Sequence, residues 1–176
     1  DHIALCNEIK AAGIAPWATT GVYPQYILNM VFDQMLYKHD PAAIIAIDNL
    51  EPDAWKSQAV TDVLTALYQL QENDFILSGW DALSHTESQT AWLQGQAAFL
   101  PCGTWLENEM KGVVPEGFQM TVAPTPSLDG DMSPFEAIVT SAGEPFIVPS
   151  QGKNVQGGKE WLRLLFSVEG GKFFAE

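Results

Sequence analysis

Trp92-Leu-Gln-Gly-Gln-Ala-Ala-Phe-Leu-Pro-Cys-Gly-Thr-Trp105 changes backbone type twice within one short passage. Ala91, Trp92 and Leu93 read as the end of a helix that starts at Ser84 or Thr86 and stops near Gly95. Ala97-Ala-Phe-Leu-Pro-Cys102 reads as a strand. Thr104 then stands three residues before Glu107. That is capping-box spacing, so a second helix is expected here, with Trp105 at its first position and its end near Gly112. A helix, a strand and a helix in immediate succession point to an α/β chain.

The same alternation continues outward. His2 to Ala12 reads as a helix stopped by Gly13, and Ile14 to Thr19 as a strand that leads into a loop at Thr20-Gly-Val. Pro24 suits the first turn of the next helix, where its missing N–H costs nothing. That helix carries Ile27, Met30, Val31, Gln34 and Met35 on one side. Lys38 to Asp53 reads as a mixed loop with an apolar centre. Val60, Val63, Leu64, Leu67 and Leu70 follow the helical repeat. Phe75 to His85 is a turn-rich link. Phe118-Gln-Met-Thr-Val-Ala123 reads as a strand. The Pro/Gly-rich run from Pro124 to Pro134 is the candidate flexible connection. One or two strands are expected around Gly143, then a last amphipathic helix over Val155 to Phe166.

Composition narrows the function. The chain has 176 residues, is 47% hydrophobic, and contains six Trp, nine Phe and four Tyr. That is enough apolar surface for a real core. Its formal net charge is −14. A surface of that sign repels phosphate backbones and anionic lipid heads, so nucleic-acid binding is not expected. No apolar run approaches the length of a membrane span; Ala42-Ala-Ile-Ile-Ala-Ile47 is far too short. The chain opens at Asp1 without a signal peptide and reads as a piece of a longer protein. Cys6 and Cys102 read as separately buried thiols, with a disulfide as the alternative if the protein is secreted.

Motifs for chemistry are missing. His2, His39 and His85 are scattered, and no metal-ligand spacing, Walker loop, dinucleotide fingerprint or nucleophile elbow occurs. No cofactor is implied. Asp129-Gly-Asp131 reads as a plain turn rather than a calcium loop. Aromatic placement is the distinctive feature. Trp17 and Tyr23 flank a strand-to-helix loop, and Trp105 follows a strand directly. Ligands of open α/β sheets sit at the carboxyl ends of strands, and helix starts there offer free N–H donors. A flat aromatic face at such a place suits the C–H face of a sugar.

Trp92 to Trp105 resembles the Phe-x-x-Gly-x-Ala-Ala-Met…Gly-x-Trp signature of the sugar-binding proteins of ABC transporters, the group that includes the maltose-binding protein. Phe99 stands where that family often has Met. Ile9-Lys-Ala-Ala-Gly-Ile-Ala-Pro16, Gly117 to Pro126 and Phe146-Ile-Val-Pro-Ser-Gln-Gly-Lys-Asn154 resemble further family elements in the expected order. The resemblance implies a periplasmic-binding-protein-like lobe, with a mixed sheet flanked by helices. It implies that residues 1–142 form the second lobe of a two-lobed protein, and that residues 143–176 are a crossover strand and helix of the first. The Val155 to Phe166 helix would then lack its usual cover here. Tyr23 falls where the family places a stacking aromatic, and Trp105 matches its stacking Trp, with Gly103 and Thr104 at the adjacent helix start. Trp17 and Glu144 are added as local candidates. The implied role is extracytoplasmic: binding a sugar, an oligosaccharide or N-acetylated sugar among them, and delivering it to membrane permease subunits. The competing readings are a carbohydrate-active enzyme lobe with paired carboxylates and a sensor partner.

Overall fold

The computed structural model describes residues 1–139 and 146–175. Glu144 and the strands expected around Gly143 lie outside the described residues. The chain divides into two compact units, Asp1–Val139 and Thr140–Glu176.

In the first unit, α1 (His2–Ala11) is capped by Asp1, whose side chain accepts the Ile3 N–H. Gly13 follows at φ +82°, a left-handed turn that a Cβ disfavours. β1 (Ala15–Trp17) comes next, then a continuous helical stretch made of α2 (Gln25–Ile27), a π-turn at Leu28–Phe32 and α3 (Asp33–His39). α4 (Pro41–Asp48) and α5 (Gln58–Glu72) follow. After a link come α6 (His85–Leu93), β2 (Ala97–Phe99) and α7 (Leu106–Met110). β1 and β2 pair in parallel, with Ala15 opposite Ala97 and Trp17 opposite Phe99. A parallel bridge joins Trp17 to Ile76 on the other side. Among the described residues the expected mixed sheet is thus a small parallel one, flanked by helices.

The core lies where α1, the π-turn, α3 and α5 converge. Phe32, Leu36, Val60, Val63 and Phe75 are buried there, and Cys6 joins them. Cys6 and Cys102 are both free thiols.

Four expectations are corrected. Lys38 to Asp53 is not a loop, because Asp40 caps α4 by accepting the Ala42 N–H at 2.9 Å and Pro41 occupies its first turn. The capping box belongs to Ser84 and Glu87 rather than to Thr104 and Glu107. α7 begins at Leu106, with Trp105 in the capping position and no side-chain cap. Phe118 to Ala123 is no strand. It has no strand partner among the described residues, and Val122 is almost fully exposed.

The fourth correction concerns the Pro/Gly-rich run. It is a strap fastened to α3 rather than a flexible connection. Gln34 exchanges two hydrogen bonds with the backbone of Val139. The Lys38 ammonium, wholly buried, donates to the Thr125 carbonyl, and the Lys38 carbonyl accepts from Met132 and Ser133. Burial pulls the Lys38 amine below its ordinary pKa, opposed by the Asp131 charge. His39 links Asp131 at 3.0 Å to Asp62 at 3.3 Å. Asp129-Gly-Asp131 is the plain turn expected, with Gly130 at φ +85°.

The second unit holds α8 (Val155–Leu165), capped by Asn154 accepting from Gly157, and α9 (Val168–Ala175), which the sequence reading did not anticipate. Phe146 packs on Trp161 and Phe166, ring centres 6.1 and 5.6 Å away. Trp161, Leu164 and Phe166 keep more than half their surface exposed.

Candidate functional site

Because β1 and β2 run parallel, the loops that leave their carboxyl ends emerge side by side. The Ala18 N–H donates to the Phe99 carbonyl at 2.8 Å and holds the two exits together. The loop after β1 is pinned at Thr20, whose hydroxyl donates to the Leu83 carbonyl at 2.7 Å and accepts from the Tyr23 N–H at 3.2 Å. Gly21 lies so close to the Asp81 backbone that a Cβ would overlap it. This fixed loop launches α2, and with it Tyr26.

The loop after β2 runs through Pro101, Cys102 and Gly103 to Trp105. The Trp105 indole folds back over Gly103, in the space that a Cβ there would occupy. Its ring centre is 6.5 Å from that of Tyr26, edge to face at 62°. Tyr26 in turn stacks on His85, with ring centres 4.0 Å apart and planes 10° apart. His85 belongs to the first turn of α6, which the Ser84–Glu87 capping box fixes. The loops that leave the carboxyl ends of β1 and β2 therefore converge with the first turn of α6 on one aromatic corner.

Beneath the rings lies a polar floor. Gln89 is wholly buried one turn along α6 from His85. Its amide nitrogen is 2.8 Å from His85 Nε2 and 2.8 Å from Glu109 Oε2. A carboxylate oxygen only accepts, so the nitrogen of the amide must face Glu109. The second N–H then goes to His85 Nε2, which must be the unprotonated ring nitrogen, leaving the proton on Nδ1. His85 Nε2 also lies 3.6 Å from Glu109 Oε2. The Gln89 carbonyl oxygen is buried without a hydrogen-bond partner, a cost of about 1 to 3 kcal/mol. Cys102 lies beside the amide, its sulfur 3.8 Å from Gln89 Nε2, and burial raises its thiol pKa, which makes it a poor nucleophile.

The residues anticipated from sequence fall into distinct places. Trp105 is 44% exposed in the corner, with Gly103 beneath its ring and Thr104 exposed beside it. Tyr23 is equally exposed on the loop after β1, but the ring that meets Trp105 is that of Tyr26, three residues on. Trp17 is a core residue at 6% exposure, its indole N–H donated to His2 Nε2 at 3.1 Å. Burial holds the His2 imidazole below its ordinary pKa, consistent with that acceptor role. Tyr26, His85, Gln89 and Glu109 were not singled out. The i, i+4 spacings of His85 with Gln89 and of Trp105 with Glu109 were the available signal, since such pairs share a helix face. A hollow of about 500 Å³ among Val31, Met35, Leu67, Leu70 and Leu128 shares no residue with this corner. Among the described residues no group of His, Cys, Asp and Glu could hold a metal ion.

Comparison with known proteins finds the chain similar to a sugar-binding protein, in agreement with the resemblance carried by Trp92 to Trp105. In particular, it is 35% identical over 153 residues to the diacetylchitobiose-binding protein NgcE of Streptomyces coelicolor. The match covers 86% of this chain and 33% of that protein, so the chain spans about a third of the length of the curated relative it matches. No family model and no solved structure matches the chain.

Proposed function

We propose that this chain is part of an extracytoplasmic sugar-binding protein that captures an N-acetylated oligosaccharide and delivers it to an ABC importer. The observation that carries this reading is the Tyr26–His85–Trp105 corner at the carboxyl edge of the parallel strands, in a chain related to a diacetylchitobiose-binding protein. Trp105 supplies the stacking face. The bare Gly103 leaves the indole the space that a Cβ would take, and Tyr23 and Thr104 are further candidate contacts on the two loops. The action is capture by closure of two lobes, without chemistry.

On this reading residues 1–142 are one lobe, and residues 143–176, Glu144 included, cross to the other. The exposed Trp161, Leu164 and Phe166 would then be covered by the remainder of that lobe. No helix among the described residues is long and apolar enough to cross a membrane.

Calorimetric titration of the full-length protein with a panel of mono- and oligosaccharides tests this. The expected outcome is saturable binding of N-acetylglucosamine oligomers with no change in the sugar afterwards. Release of shorter products on chromatography would make the protein an enzyme and overturn the reading.

A further inference from the structure

We propose that Glu109 is the specificity-determining residue of the aromatic corner, accepting a hydrogen bond from a donor group on the bound sugar, and that Gln89 positions it. This rests on the reading of the corner as a sugar site.

Trp105 and Glu109 are four residues apart, and the Glu109 N–H donates to the Trp105 carbonyl at 2.9 Å. That spacing sets the indole and the carboxylate on one face of the chain. A sugar ring laid on Trp105 would bring its rim substituents, hydroxyl or acetamido, beside the carboxylate. A carboxylate accepts only, with about four lone-pair positions. Gln89 occupies one of them, and the Glu109 side chain remains 42% exposed. Acceptor capacity therefore faces outward, while the inner oxygen is tied down.

The tie accounts for Gln89. A wholly buried amide whose carbonyl oxygen goes unpartnered is an unfavourable choice for packing alone. Leu at that position would fill the space without the orphan. What the amide provides is two N–H donors at a fixed angle, one on Glu109 and one on His85. His85 is itself locked by its stack on Tyr26. The carboxylate is thus oriented before any sugar arrives, which lowers the ordering cost of binding.

The experiment uses the full-length protein, calorimetric titration with N,N′-diacetylchitobiose, and four variants: Glu109→Gln, Gln89→Leu, the double variant and Trp105→Ala. Glu109→Gln keeps shape but loses charge and half the acceptor capacity. It is expected to weaken binding about ten- to hundredfold, the worth of a hydrogen bond to a charged group. Gln89→Leu should weaken binding severalfold in the wild-type background and have no effect once Glu109 is Gln, a non-additivity that a merely structural role would not produce. If Gln89→Leu fails to fold, the exposed Glu109→Gln and Glu109→Asp carry the test, and Asp, one methylene shorter, should bind less well than Glu. Wild-type affinity in Glu109→Gln overturns the proposal. Wild-type affinity in Trp105→Ala would instead overturn the reading of the corner, so the two failures are separable.

Discussion

At the residue scale the tightest constraint lies between Gly103 and Trp105. The indole occupies the space where a Cβ at Gly103 would stand. Gly103→Ala must therefore swing the ring out of its place rather than strain the backbone. The expected result is weaker sugar binding, about tenfold, with a melting temperature close to wild type, since Trp105 is 44% exposed and outside the core. Equal affinity in Gly103→Ala would show that the indole orientation is irrelevant. Trp105 was singled out from sequence because it follows an expected strand and Gly103 with only Thr104 between. Tyr26 was not legible. It lies inside a helical run, and only the pinning of Thr20 and Gly21 to the Leu77–Leu83 link decides which of two nearby tyrosines reaches the corner.

At the scale of elements, four helices lie where the sequence put them: α5 and α8 by their apolar repeat, α1 and α6 by their caps and stops. The misreadings share a cause. α4 consists of an almost wholly apolar run, so it has no polar face to betray the period. Its caps, Asp40 and Pro41, were the overlooked signal. Phe118 to Ala123 has strand composition, yet strand formation needs a neighbouring edge that composition does not encode.

The run from Pro124 to Pro134, part of the strap that continues to Val139, was misread for a similar reason. Prolines suggest a linker, whereas its fastening by Gln34, Lys38 and His39 involves residues about a hundred positions away. Gln58 and then His39 hold the Asp62 carboxyl below its ordinary pKa. A carboxylate depressed in the folded state stabilises above its unfolded value and loses that contribution as pH falls through the folded one. The His39 tie to Asp62 should therefore weaken below about pH 4. Asp131→Asn should cost about 1 to 2 kcal/mol and admit proteases to the strap while α5 stays protected. Unchanged cleavage within residues 124–139 would mean that the strap is held by other contacts.

At the scale of the whole molecule, the strongly acidic balance and the absence of chemical motifs excluded more than they identified. They removed nucleic acid and left capture, catalysis and signalling as alternatives. The family resemblance chose among these, and the similarity to a diacetylchitobiose-binding protein over 86% of the chain agrees with it.

The central claim is that the Trp105 face in the corner with Tyr26 and His85 is where the sugar stacks. Its most direct test is calorimetric titration of N,N′-diacetylchitobiose into the full-length protein and its Trp105→Ala variant. Loss of one desolvated aromatic anchor at the centre of a site costs about 2 kcal/mol or more, so the account predicts at least a thirtyfold weaker dissociation constant with unchanged stability. An affinity within twofold of wild type would contradict it.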